Sequence, residues 1–285
     1  MLENVVISNP TKLEKIKKEF QKGGIEKLHI LSDFERTLTY AFVEGEKVPS
    51  LISVLRSSGE YLGDDYARKA QALFDKYHPI EIDPKIPIEE KKKAMEEWWT
   101  THFNLLIKLG LNKKHLEKAV KSEKIKLREG AEEFFNLLKK YKIPLIIMSS
   151  SGLGEAISMF LEKEEKLLAH VYIISNSFFW DDNGNAVSVK TPVIHSMNKD
   201  ETVLKDFPFY DKIKDKKNVI LLGDNLEDIE MVAGFNYDNL IKIGFLNEKI
   251  EENLEAYKKI YDILILNDSS MNFVNNLLKE IKGRK

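Results

Sequence analysis

An apolar run ends abruptly inside the stretch HILSDFERTLTY, residues 29 to 40, where Asp33, Glu35 and Thr37 fall at alternate positions. Two carboxylates and a hydroxyl are thereby pushed into one small volume, where like charges repel unless something offsets them. A serine cluster, Ser149-Ser150-Ser151-Gly152, follows a second apolar run, and Gly223-Asp224-Asn225 with Asp228 follows a third. A lone acid after a strand usually forms a turn or caps a helix. Acids and serines at three strand ends are harder to read that way. Asp33, Asp224 and Asp228 brought together need a cation among them, and hard carboxylate oxygens suit Mg²⁺.

The elements that must position these residues are legible in the hydrophobic pattern. Asn9-Pro10-Thr11 opens an amphipathic helix that stops at Gly23-Gly24. Residues 28–32 read as a short buried strand leading into the acidic corner. From Pro49 to Leu127 there is no convincing strand; helical patterns occur at 66–77, 88–109 and 113–121, with Pro79, Pro84 and Pro87 breaking the chain between the first two. After Arg128 the rhythm changes: helix at 131–141, strand at 144–148, helix at 154–161, strand at 171–174, and an Asn-Gly hairpin turn within 180–185. Strands at 219–222, 240–243 and 263–266 follow, the last two each preceding a helical pattern. Short apolar strands separated by helices imply an α/β fold, a doubly wound and mostly parallel sheet covered on both faces. In such sheets chemistry gathers at the carboxyl ends of the strands. The expected division is a core of residues 1–45 and 128–285 with an inserted helical cap at 46–127.

Composition narrows the class. The chain has 285 residues, 44 basic and 46 acidic, and no block of five or six like charges, which argues against a dedicated nucleic-acid or membrane binder. Lys91–Lys93 sit among glutamates and read as a solvated helix face. With no cysteine there is no disulfide, thiolate metal site or cysteine nucleophile. No basic-then-apolar leader and no 18-residue apolar run is present, so a cytoplasmic protein is expected, with a monomer as the default.

The ordered stretches SDFERTLT, YHPIEIDPKIPIEEKKKAMEEWW, MSSSGLGEAI, SNSFFWDDNGN, IHSMNKDE, LLGDNLEDIEM and IKIGFLNEKIEENLEAYKKIYDILILND carry a resemblance. The sequence resembles the haloacid-dehalogenase-like (HAD-like) hydrolases, whose first motif is D-x-D-x-T, and within them the cytosolic 5′-nucleotidase III family of pyrimidine 5′-nucleotidases. The resemblance implies an enzyme with a HAD-like core that hydrolyses nucleoside 5′-monophosphates such as CMP or UMP through an aspartyl-phosphate. Asp33 is then the nucleophile. Mg²⁺ is held by Asp33, Asp224 and residue 35, the last through its main-chain carbonyl. Ser150, with Ser151 beside it and the amides of the following helix, holds phosphate oxygens, as helix N-termini do. Lys199 neutralises the phosphoryl charge. Thr37 fixes the loop or contacts phosphate, and Asp228 supports the metal and the lysine.

Glu35 departs from the family, which has aspartate there as general acid and base. Glutamate keeps the carboxyl chemistry but moves the proton by roughly 1 Å, and general acid catalysis depends on geometry. It is read as a working acid/base, with a catalytically impaired nucleotide-binding protein as the alternative. Substrate choice is expected in the cap. The resemblance assigns the base contact to Glu81, which otherwise reads as a solvent-facing residue before a proline turn. A carboxylate suits bases that present amino or ring N–H donors, as cytosine and 7-methylguanine do. Trp98 and Trp99 point about 100° apart on a helix, so at most one is expected to face the substrate. Tyr40 and Phe42 are further stacking candidates. His102 falls where the family has a nucleotide-contacting serine, and the other histidines, His29, His78, His115, His170 and His195, read as structural. The alternative substrates are 7-methylguanosine monophosphate or another small phosphomonoester; nucleic acid and membrane are not expected partners.

Overall fold

The computed structural model describes residues 4–57, 59–83, 85–199, 207–233 and 235–283. A seven-stranded sheet organises it. Its strands are β1 (Val5–Ile7), β2 (Leu28–Ser32), β5 (Leu145–Leu153), β6 (Val171–Asn176), β9 (Asn218–Gly223), β10 (Asn239–Leu246) and β11 (Ile263–Leu266), arranged β1-β11-β10-β9-β2-β5-β6. Every pairing is parallel except β1 on β11, an antiparallel edge. The strands that deliver Asp33, the serine cluster and Asp224 are β2, β5 and β9, and they are neighbours with β2 in the middle. That order is why acids far apart in sequence meet.

Side-chain alternation splits the interior in two. Ile30, Leu145, Ile147, Ile220 and Leu222 face one hydrophobic cluster, while Leu31, Ile146, Met148, Val219 and Leu221 face another. Helices cover both faces: α1 (Pro10–Gly23), α6 (Ala131–Tyr141), α7 (Gly154–Lys163), α8 (Tyr210–Ile213), α9 (Ile250–Ile260) and α10 (Asn272–Lys282). Asn9 caps α1, its side chain accepting from the Lys12 amide at 2.9 Å.

Between β2 and β5 lie two short hairpin strands, β3 (Phe42–Val43) and β4 (Glu46–Lys47), then α2 (Leu51–Arg56), α3 (Gly63–Ile82), α4 (Ile88–Lys108) and α5 (Lys113–Lys121). Leu51, Tyr66, Met95, Trp98 and Leu116 from these helices join the larger sheet cluster, so this segment shares one continuous core with the sheet. A second hairpin, β7 (Phe178–Trp180) with β8 (Ala186–Val189), follows β6.

Three departures from the sequence reading have physical causes. The α3 helix runs through Pro79 instead of ending before it. The lost Pro79 N–H bond is offset by anchors on the last turn: Lys91 Nζ donates to the Glu81 carbonyl at 2.7 Å and Ser196 Oγ to the Glu81 carboxylate at 2.6 Å. Lys91 is accordingly buried, not part of a solvated face. The six-residue α2 and three-residue β1 were too short to show a period, and packing makes them.

Arg128, just before α6, is tied to the loop after β2. Its guanidinium donates to the carbonyls of Thr37 (2.8 Å), Ser269 (2.8 Å) and Arg36, to Asn247 Oδ1 (2.8 Å), and pairs with Asp268 at 2.8 Å. Arg36 sits in the left-handed region at φ 60°, a strained conformation for a residue with a Cβ, and its carbonyl is held from two sides, by Arg128 and by Asn247 Nδ2 at 3.0 Å. Replacing Arg128 by Met leaves the Asp268 charge and several carbonyls without their buried donor. The expected loss of unfolding free energy is ~3–5 kcal/mol, seen as a lower urea midpoint at unchanged m-value. A loss below ~1 kcal/mol would show that the loop is held by other means.

Candidate active site

Asp33 leaves the sheet immediately after β2, its amide bonded to the Leu222 carbonyl of β9 at 3.0 Å. That bond fixes the loop beside the end of β9. Asp224 follows β9, and Asn225 caps a short 3₁₀ turn (Leu226–Val232) that carries Asp228. Asp228 Oδ2 accepts from the amides of Asp224 and Asn225, both at 3.0 Å, so the turn folds onto its own carboxylate. This tight path needs glycine at 223, where a Cβ would stand 2.6 Å from Asp228 Cβ and 2.9 Å from Tyr261 Oη. Two tyrosines of α9 and the residue after it close the loop from behind: Tyr257 Oη donates to the Asp224 carbonyl at 2.7 Å, and Tyr261 Oη to the Asn225 carbonyl.

The three aspartates offer carboxylate oxygens within 4.8 Å of one another, all buried. Lys199 stands among them, its Nζ bonded to Asp33 Oδ1 and lying 3.2 Å from Asp228 Oδ1. Burial pushes the Asp33 carboxyl well above the usual range; Lys199 pulls it back, and Asp228, Asp224 and Glu35 push it further up. Asp224 is pushed up to about 7, chiefly by burial and then by Asp228. Burial alone would lower the Lys199 ammonium, but Asp33 and Asp228 outweigh it and hold it above its ordinary value. One ammonium does not balance three buried carboxylates. An all-oxygen cluster of this kind fits a hard divalent cation.

Glu35 is not a member of that cluster through its side chain. Its Oε2 accepts from Ser149 Oγ at 2.7 Å, and Oε1 is buried without a described partner. The expected contribution of residue 35 to a metal therefore reduces to its main-chain carbonyl. Ser149, at the end of β5, was not singled out in the sequence, where three successive serines gave no way to choose among them.

A cavity of about 390 Å³ adjoins the cluster and is lined also by residues of α2, α3 and α4. Asp33, Glu35, Ser150, Lys199, Asp224 and Asp228 line one end, and Glu81, Trp98, Trp99 and His102 line the other, with His78, Phe74 and Arg56 between helices. Glu81 is held by two donors, Ser196 Oγ at 2.6 Å and His78 Nδ1 at 3.2 Å. Burial would raise its pKa, but those two bonds more than reverse it and hold it below the ordinary carboxylate value. Both tryptophans reach the cavity, because Trp98 stacks on Tyr77 and Trp99 while Trp99 stacks on His102, forming an aromatic wall rather than a single platform. His102 Nε2 meets Tyr66 Oη at 3.0 Å, and burial holds its pKa down at about 3, so it is neutral.

Other expected positions fall elsewhere. Tyr40 does not line the cavity; its hydroxyl accepts from the Glu129 amide at 3.0 Å and its ring lies against Arg128. Thr37 is fully buried beneath the loop, away from the cavity lining, with its carbonyl on Arg128. Its hydroxyl is buried without a hydrogen-bond partner among the described residues. The Ser151 side chain and the last two residues of the NKDE stretch lie outside the described residues. His78, expected to be structural, is in the cavity against Glu81; its spacing of three on a helix was the available signal.

Comparison with known proteins agrees with this geometry. The family model described as pyrimidine 5′-nucleotidase (UMPH-1) matches residues 36–282. The 7-methylguanosine phosphate-specific 5′-nucleotidase A of Xenopus laevis is 36% identical over 283 residues, 99% of this chain and 97% of that protein. The crystal structure of cytosolic 5′-nucleotidase IIIB bound to cytidine superposes with a TM-score of 0.89 at 31% identity, covering 98% of this chain and 94% of that one. A HAD family hydrolase from Salmonella enterica serovar Typhi, 15% identical with a TM-score of 0.56 over 95% of this chain and 81% of its own, shares the fold. By sequence and by fold, the chain belongs to the pyrimidine 5′-nucleotidase (UMPH-1) family and is a 5′-nucleotidase with a HAD-like α/β core.

Proposed function

We propose that the enzyme is a Mg²⁺-dependent phosphohydrolase of nucleoside 5′-monophosphates whose bases present N–H donors, with CMP and 7-methylguanosine monophosphate as its substrates and UMP a weaker one. The observation that carries this reading is one cavity with a buried Asp33–Lys199–Asp228 cluster at one end and a hydrogen-bonded Glu81 beside an aromatic wall at the other. The first end suits a phosphate and the second a base. Relatives support both bases: a cytidine-bound structure on one side and 7-methylguanosine phosphate-specific enzymes on the other. In this reading residues 46–127 act as the cap over a core of 1–45 and 128–285.

Asp33 attacks phosphorus and the nucleoside 5′-oxygen leaves, giving an aspartyl-phosphate that water then hydrolyses. Glu35 gives its proton to the leaving oxygen and takes one from the attacking water. Lys199 and the amides after Ser150 hold the phosphoryl oxygens. Asp33, Asp224 and the carbonyl of residue 35 would hold the Mg²⁺, with Asp228 supporting them. When bound, that ion neutralises and orients the phosphoryl group. Glu81 accepts from the base while the Trp98–Trp99 wall packs against its face.

Phosphate release from a panel of CMP, 7-methylguanosine monophosphate, UMP and AMP, with Mg²⁺ and then with EDTA, tests the reading; turnover that survives EDTA, or is confined to non-nucleotide phosphates, would sink it. Within the same assay, Glu35→Gln lowers kcat by ~10²–10⁴-fold. Glu35→Asp also lowers it, because the shorter side chain withdraws from Ser149. A gain of activity in the aspartate variant would mean that the pocket has not adapted to glutamate.

The cation carries a stability signature. Asp33 and Asp224 have folded values raised above the ordinary 3.8, Asp224 to about 7, so the cation-free fold binds extra protons and loses stability as pH rises from about 4 to 7. A bound cation removes that loss. The difference in melting temperature between Mg²⁺-loaded and EDTA-treated protein therefore widens across this window, and a constant difference contradicts the assignment.

A further inference from the structure

A guanidinium faces the same cavity and has no role in the chemistry above. Arg56 is the last residue of α2, and α2 packs against α3, α5 and β5. It lines the cavity, and its contacts among the described residues are with a hydroxyl and an aromatic ring, not a carboxylate ion pair. A cation at a helix C-terminus often serves only the last carbonyls. Here the guanidinium carbon instead lies 4.3 Å over the centre of the Phe74 ring, and one Nη meets Ser53 Oγ at 3.3 Å. Five N–H donors on a half-buried group are therefore met by one serine and an aromatic face.

The same wall continues toward the acceptor. Phe74 stacks on His78 with ring centres 4.6 Å apart, and His78 Nδ1 is 3.2 Å from Glu81 Oε2. Donor and acceptor thus stand on one aromatic ladder, spaced along the edge of the cavity. On this basis we propose that Arg56 is a specificity-determining residue that donates hydrogen bonds to a ring carbonyl oxygen of the substrate's base, so that the site takes oxo-bases and turns away adenine. The inference rests on the nucleotide reading of the cavity and adds the other half of base selection. Cytosine, uracil and guanine each carry both a carbonyl oxygen and an N–H donor, with the two at different points on the ring edge. Adenine has no carbonyl. Bringing it in leaves the guanidinium desolvated and unpaired, and a site that must pair a buried polar group rejects the analogue that cannot pair with it.

The experiment compares wild type with Arg56→Met, which keeps length and apolar contact with Phe74, and with Arg56→Lys, which keeps the charge. KM and kcat are measured for CMP, 7-methylguanosine monophosphate and AMP, and equilibrium affinity for cytidine and adenosine, which involve no phosphate chemistry. The methionine variant raises KM for the two oxo-base nucleotides about 10- to 100-fold, with the loss carried by KM more than by kcat. Preference over AMP narrows by the same factor, the cytidine-to-adenosine affinity ratio collapses with it, and lysine restores part of both. If the ratios stay at their wild-type values, or all ligands weaken equally in both variants, Arg56 does not read the base and the proposal falls alone. If the wild type neither hydrolyses a monophosphate nor binds a nucleoside, the nucleotide reading falls and takes the proposal with it.

Discussion

Repulsion among three buried carboxylates is the constraint around which this molecule is built. Asp33, Asp224 and Asp228 occupy a space in which their oxygens lie within 4.8 Å of one another, with a single ammonium between them. Left alone, such a group is pushed toward its protonated form, and burial followed by Asp228 raises Asp224 to about 7. The surrounding fold keeps the charges together regardless. Parallel pairing of β2 with β9 puts the first two at adjacent strand ends, and the Asp33 amide on Leu222 locks the register between them. Tyr257, Tyr261 and Arg128 tie down the loop carbonyls that would otherwise let the acids separate. Holding anions apart from water in this way stores electrostatic energy that a cation and a phosphoryl group can release on binding.

The far end of the cavity is connected to the same machinery. Ser196 bonds Glu81 from a loop that three residues later carries Lys199. The contact that holds Glu81 is thus close in sequence to the lysine that meets Asp33. Glu81 is also the last-turn anchor of α3, since Lys91 holds its carbonyl. A residue lining the cavity thus also anchors the last turn of α3, which continues past Pro79 to Ile82.

Much of this was legible in the sequence, and the reasons differ by residue. The strand at 28–32 and the helices at 113–121 and 131–141 match the structure to the residue, because caps and buried runs mark their ends locally. Asp33, Asp224, Asp228 and the serine cluster stood out because acids and serines at strand ends are local signals, while the resemblance supplied Ser150, Glu81 and Lys199, and the structure brings these residues to one cavity. What stayed hidden depends on long-range contact. Arg128 looks like any basic residue before a helix, yet it is buried and satisfies groups from three distant segments. Tyr40 looks like a stacking platform beside the loop after β2, but its ring lies against Arg128 and does not line the cavity. Lys91 reads as solvated because its acceptor is a backbone carbonyl, which sequence composition does not reveal. Glu35 could be named as unusual, whereas its partner Ser149 emerges only once β5 is set beside β2.

The central claim is that Asp33 is the atom-donating nucleophile in a carboxylate cluster that needs a divalent cation. A crystal structure of the enzyme grown with Mg²⁺ and beryllium fluoride tests it most directly. The account predicts trifluoroberyllate bonded to an Asp33 carboxylate oxygen, with Mg²⁺ between Asp33 and Asp224 and Lys199 swung onto the fluorides. Density for the fluoride on any other residue, or an ion bound without Asp33, would contradict it.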